Sequence, residues 1–174
     1  MVIINKYRKG RKKMNVFISH KSNDIDVAEK HAKDLRNLGF NIYFDKYDPN
    51  INSSKDKAKY IQNKIQESTD LLVIITENTK YSWWVPFEIG VSTVLDVRIA
   101  SIVYENSPSL PSFIKKWPII DTEKKYNIYL NELQRSNRQL LKCFSSGQES
   151  LRENYSIRVS DIFHEKLMRK YAEL

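Results

Sequence analysis

The chain of 174 residues has one cysteine, four glycines and three histidines, and each scarcity excludes something. Cys143 alone forms no internal disulfide and supplies no thiolate cluster, so neither a disulfide scaffold nor a cysteine-ligated zinc site is built within one chain. Gly10, Gly39, Gly90 and Gly147 fit neither a Walker phosphate loop nor a GxGxxG fingerprint. His20, His31 and His164 are scattered rather than set at metal-ligand spacing. No apolar run approaches the roughly 20 residues that span a bilayer, and no charged-then-apolar leader opens the chain. The expectation is a cytoplasmic protein with no membrane partner and no metal.

What is present is the mix of one ordinary soluble domain, 41% hydrophobic and 29% charged. The formal charge of +8 would suggest nucleic acid, but its distribution argues otherwise. Lys6, Arg8, Lys9, Arg11, Lys12 and Lys13 crowd the start with no acidic residue among them, and without these six the remainder carries +2. The division expected is a basic arm over 1–13, disordered or dispensable, a domain over 14–144, and an extension over 145–174. Nucleic acid is not an expected partner.

From Asn15 onward, short apolar runs alternate with helical periods, the pattern of an α/β fold with a parallel sheet. Strands are predicted at Val16–Ile18, Phe40–Phe44, Leu71–Ile75, Ile99–Tyr104 and Pro118–Ile120. The Leu71–Ile75 run is continuous rather than alternating, as in a central strand covered on both faces. Ser22, Asn23 and Asp24 offer N-cap chemistry for a helix whose stripe of Ala28, His31 or Ala32, Leu35 and Leu38 stops at Gly39. Asp45–Asp56 reads as a polar loop, Ala58, Ile61 and Ile65 as a second helix, and Pro86–Asp96 as a third. A longer helix carries Tyr126, Leu133 and Leu140 and ends before Ser145. Phe163, Leu167, the Lys170 stem and Tyr171 form a stripe on a last one, while His31 and Cys143 read as core. Five strands with intervening crossovers predict a flavodoxin-like doubly wound five-stranded parallel sheet with a C-terminal helical extension.

In that fold, ligands bind beyond the carboxyl ends of the strands, at the switch point between the first and third. Two segments therefore matter: Ser19-His20-Lys21-Ser22-Asn23-Asp24, whose following helix start favours an anionic group, and Thr76 through Glu88. Trp84 and Glu88 are four apart and would share one helix face. A phosphoacceptor receiver would need a carboxylate at the end of the third strand, where Thr76 stands.

Phe17-Ile18-Ser19-His20-Lys21-Ser22-Asn23-Asp24, then Ile42-Tyr43-Phe44-Asp45, then Ser82-x-Trp84-x-x-x-Glu88 resemble, in order, the boxes of a bacterial TIR (Toll/interleukin-1 receptor) domain with the WxxxE motif. The resemblance covers roughly Asn15 to Lys142 and extends to the NAD-consuming TIR enzymes of Thoeris-type antiphage defence. It implies cleavage of the nicotinamide–ribose bond of NAD+, as substrate rather than cofactor, giving an ADP-ribose-derived signal that activates a separate effector. It implies Glu88 as the catalytic carboxylate, Trp84 stacked on a base or walling off the ribose, and Ser19, His20 and Lys21 on phosphate or adenosine groups. Asp45 and Tyr47 would belong to the loop that covers the site, and homo-oligomers would form through TIR–TIR contacts. The same resemblance admits a non-catalytic protein–protein interaction or scaffold module. The chemistry suits a lone carboxylate: nicotinamide leaves as a neutral base from a cationic pyridinium, so no general acid is needed, unlike in glycosidases. A place in the first turn of its helix is expected to keep Glu88 ionised.

Overall fold

The computed structural model of the chain describes residues 14–44, 48–105, 109–145 and 159–174. Five parallel strands, β1 (Asn15–Ser19), β2 (Asn41–Tyr43), β3 (Asp70–Ile75), β4 (Arg98–Val103) and β5 (Ile119–Ile120), form one sheet in the order β2-β1-β3-β4-β5. All six residues of β3 are buried, and the period of two sorts them between two cores. Leu72 and Ile74 join Val16, Ile18, Ala100 and Ile102 on one face, while Leu71, Val73 and Ile75 join Phe17 and Ile99 on the other. A strand with two buried faces has no polar side, which is why its sequence does not alternate.

Helix α1 (Ile25–Asn37) covers the first face with Ala28, Ala32 and Leu35. It ends in a Schellman motif: Gly39 N–H donates to Arg36 O (2.9 Å) and Phe40 N–H to Leu35 O (3.1 Å). Gly39 takes φ +88°, the left-handed geometry that a Cβ disfavours. The stretch expected as loop contains a short helix, α2 (Pro49–Ser53). Asp48 starts it by accepting the Asn50 N–H (3.0 Å), and Pro49 holds a position that has no amide to lose. Helix α3 (Lys57–Glu67), capped by Asp56 on the Lys59 N–H (2.9 Å), places Ile61 and Ile65 on the second face beside α4 (Trp84–Val94).

On the first face, α5 (Glu123–Ser145) contributes Tyr129 and Leu133, and α6 (Val159–Ala172) contributes Phe163 and Leu167. The predicted stripe on α6 is therefore a packing surface. Lys170 Nζ lies 2.6 Å from Glu132 Oε1, and the Tyr171 hydroxyl donates to Lys125 O (3.1 Å). Polar contacts fasten α6 to the amino ends of the strands. His164 Nε2 accepts the Ile99 N–H (2.8 Å), and Asp96 Oδ1 accepts from both the Ser160 hydroxyl and its N–H. Beside them the fully buried Asp70 and Arg98 form an ion pair at 2.6 Å, with the guanidinium 4.6 Å from the Phe163 ring centroid. Residues 1–13, and the side chain of Cys143, lie outside the described residues.

Candidate functional site

At the carboxyl end of β1, Ser19 pairs in register with Val73 of β3 and is 1% exposed. Its Oγ is buried with no hydrogen-bond partner among the described residues. His20 follows, 7% exposed, so it is not the surface histidine its polar surroundings in the sequence would allow. Its Nδ1 lies 3.3 Å from Ile18 O, and its ring meets Phe44 edge-on at 5.5 Å. Because a carbonyl only accepts, Nδ1 is the donor in this contact. The ring's Nε2 is also buried without a partner among the described residues. Two polar atoms held out of water with nothing to bond are costly, and such groups gather where a ligand is to be met.

The loop after β1 is tied to the loop after β3. Lys21 Nζ donates to Tyr81 O (3.4 Å), and Asp24 accepts from the Thr76 hydroxyl (2.8 Å) and the Asn78 side-chain amide (2.7 Å). Asp24 stands at the N-cap position of α1 but makes no capping bond, contrary to the sequence expectation. Its backbone (φ −102°, ψ 19°) lacks the extended geometry that turns a cap side chain back on the helix. The start of α1 thus already holds a buried carboxylate, which weakens it as a seat for a second anion. The register Ser19↔Val73 foretells that the residues next along on both strands meet, but the identity of the bonded pair is not written in either segment.

Helix α4 begins earlier than predicted, at Trp84, with Ser82 Oγ accepting the Val85 N–H (3.3 Å). Glu88 is therefore in the second turn and not the first, and the first turn holds no acidic residue. The macrodipole is felt mainly within the first turn, so it is not what governs Glu88. Glu88 is 3% exposed, next to Ile89 and one turn from Val85, both packed on the sheet. Trp84, one turn back, is 43% exposed and meets Phe87 edge-on at 5.6 Å. The shared face thus divides into a buried carboxylate and a half-open indole, because the first residue of a helix has no preceding turn to cover it. Trp83 (91% exposed) and Tyr81 (69%), just before Trp84 in the chain, are further exposed aromatics. Asp45 and Tyr47 lie outside the described residues. Among the described residues there is no cluster of histidine, cysteine and carboxylate side chains that could hold a metal.

A doubly wound α/β domain with its polar loops joined at the β1/β3 switch point is the class that this fold and site define. The model of the TIR domain matches residues 16–137, from β1 well into α5, and the chain belongs to the TIR domain family. It is similar in fold to the TIR domain of the Toll-related receptor TRR-2 from Hydra magnipapillata, at 16% identity and a TM-score of 0.58, with 71% of this chain and 97% of that chain covered. The TIR domains of the activated Roq1 resistosome, which directly recognizes the pathogen effector XopQ, align at 16% identity with a TM-score of 0.45, covering 91% of this chain and 99% of that chain. No curated protein matches the chain. Among the described residues, no helix is long and apolar enough to cross a membrane.

Proposed function

We propose that the protein is a TIR enzyme that cleaves the nicotinamide–ribose bond of NAD+ and releases an ADP-ribose-derived signal for a separate effector in antiphage defence. The observation that carries this reading is Glu88, a carboxylate 3% exposed on the helix that follows the central strand of a TIR domain. In the step, the C1′–N bond breaks with both electrons going to the pyridine nitrogen, and neutral nicotinamide departs. The ribose is left as an oxocarbenium-like centre, captured by water or by another nucleophile. Glu88 stabilises that positive charge through a ribose hydroxyl or directly, and low solvent exposure strengthens the interaction. His20 Nε2 and Ser19 Oγ accept or donate to the ribose or adenosine portion, Lys21 faces the pyrophosphate, and Trp84 stacks on a base. NAD+ is the substrate, and no cofactor or metal is required.

The test is to incubate the purified chain with NAD+ over a range of protein concentrations and to separate the products. Wild-type protein is expected to release nicotinamide, and Glu88→Gln to slow release by about 10²–10³-fold while its melting temperature holds. Equal rates in the two proteins would remove Glu88 from the catalytic role. The exposed Tyr81, Trp83 and Trp84 favour a second reading, a non-catalytic module that assembles through TIR–TIR contacts. Concentration-dependent association without nicotinamide release at any concentration would select it.

A further inference from the structure

A cavity of about 790 Å³ opens between α1 and α5, beyond the carboxyl ends of β4 and β5. It lies on the face of the sheet that α1 and α5 cover, whereas Glu88 belongs to α4 on the opposite face. At its wall is His31, 5% exposed, with Nε2 2.8 Å from the Tyr104 hydroxyl and Nδ1 buried without a partner among the described residues. Burial, helped by neighbouring Lys30, pulls His31 down to about 4, so at neutral pH it adds no positive charge. The Tyr126 ring meets His31 edge-on at 4.8 Å, and its hydroxyl donates to Asp34 (3.1 Å). The floor is apolar, from Ile102 and Ile120.

The charge lining this cavity is predominantly negative. Asp34, Glu105, Asp121 and Glu123 line it against the single cation Lys30. Asp121 is paired with Lys125 at 2.8 Å, while Glu105 and Glu123 carry no ion pair among the described residues. Such a wall repels a pyrophosphate, so the cavity is not a place for NAD+. Nor do its carboxylates converge as a metal requires, since no cluster of the described residues could hold one. Negative charge spread along an apolar, tyrosine-lined trough matches positive charge spread along an aliphatic chain, with ammonium groups on the carboxylates and aromatic faces and methylenes on the isoleucines.

We infer that the cavity between α1 and α5 binds a linear polyamine of the putrescine–spermidine class, at a site separate from that of Glu88. Equilibrium dialysis of the purified full chain against radiolabelled spermidine tests it. Saturable binding of one spermidine per chain is expected, displaced by unlabelled spermidine and not by an equal charge of Mg²⁺. The Glu105→Gln/Glu123→Gln double variant, at two exposed positions, should weaken binding about three- to tenfold. Asn127→Lys, an exposed cavity position on α5, should weaken it at least as much, and Glu88→Gln should leave it unchanged. Non-saturable uptake, equal displacement by Mg²⁺, or undiminished affinity in both cavity variants would overturn the assignment. A lysine-rich peptide that displaces spermidine at far lower concentration, and loses affinity in the same variants, would overturn it in favour of a protein partner.

Discussion

At the amino ends of the strands, the buried charged and imidazole side chains are each bonded to another element, although Asp70 Oδ1 makes no hydrogen bond among the described residues. Asp70 has Arg98, Asp96 has Ser160, and His164 has the Ile99 amide. At the carboxyl ends, Asp24 is served in the same way by Thr76 and Asn78, yet a few residues earlier, at the end of β1, Ser19 Oγ and His20 Nε2 are buried with nothing to bond among the described residues. Both ends cost desolvation. At the first, an ion pair and imidazole and hydroxyl bonds to other elements offset most of it, and at the second Ser19 Oγ and His20 Nε2 stay unbonded among the described residues. The difference separates the end of the sheet whose buried charges are paired across elements from the end whose polar side chains are left open.

The sharpest way to break this contrast is at Asp70. Asp70→Ala removes the carboxylate from an ion pair whose Arg98 partner has 2% side-chain exposure, and the expected loss is about 3–5 kcal/mol in urea unfolding. A loss under about 1 kcal/mol would mean that water reaches the amino ends and that they are no better sealed than the carboxyl ends. Next comes acid. Burial lowers His164 to about 4 from its ordinary 6.5, so the folded state keeps it neutral while the unfolded chain takes up a proton first. Its contribution is whole above pH 6.5 and drains away as the pH falls toward 4. Unfolding free energy should therefore drop by on the order of 2 kcal/mol between pH 7 and pH 4.5 on account of His164. His31 acts in the same direction, so His164→Gln should flatten the slope by about half without abolishing it. The smallest effect is expected at Ser19. Its hydroxyl makes no bond, so Ser19→Ala should shift stability by less than about 0.5 kcal/mol, or raise it. A cost above about 1 kcal/mol would show that the hydroxyl is satisfied, and the contrast would fail at its other pole.

The strands and the main helices were legible because hydrophobic periodicity is local. The unbroken Leu71–Ile75 run announces a strand covered on both sides, and Gly39 announces the end of α1. The switch point was legible too, since it follows from strand order alone and leads directly to Ser19 and His20. What stayed hidden is long-range. Nothing near Asp70 points to a residue 28 positions on, and nothing near His164 points to an amide 65 positions back. Asp24 looked like a helix cap because its neighbours are cap residues, yet its backbone angles sent the carboxylate to Thr76 instead. The start of α4 was misplaced by two residues because Pro86 is acceptable at several positions of a first turn, and Ser82 rather than proline decides where the helix begins. That small shift moved Glu88 out of the reach of the dipole.

The two-faced burial of β3 carries one more consequence. A strand that alternates polar and apolar residues cannot slide by one position without turning its oily side to water, and that penalty fixes its alignment. In β3 every residue is buried, and Leu71 through Ile75 would be equally oily after a slip. Hydrophobicity cannot proofread such a strand. Asp70 and Arg98 can, for they sit directly opposite each other across the β3–β4 ladder. Sliding one strand by a single residue would part them and set Asp70 against Val97 or Ile99. The ion pair acts as an indexing mark at the foot of the sheet, and it sets the height at which everything on the far edge, Ser19 and His20 included, comes to rest.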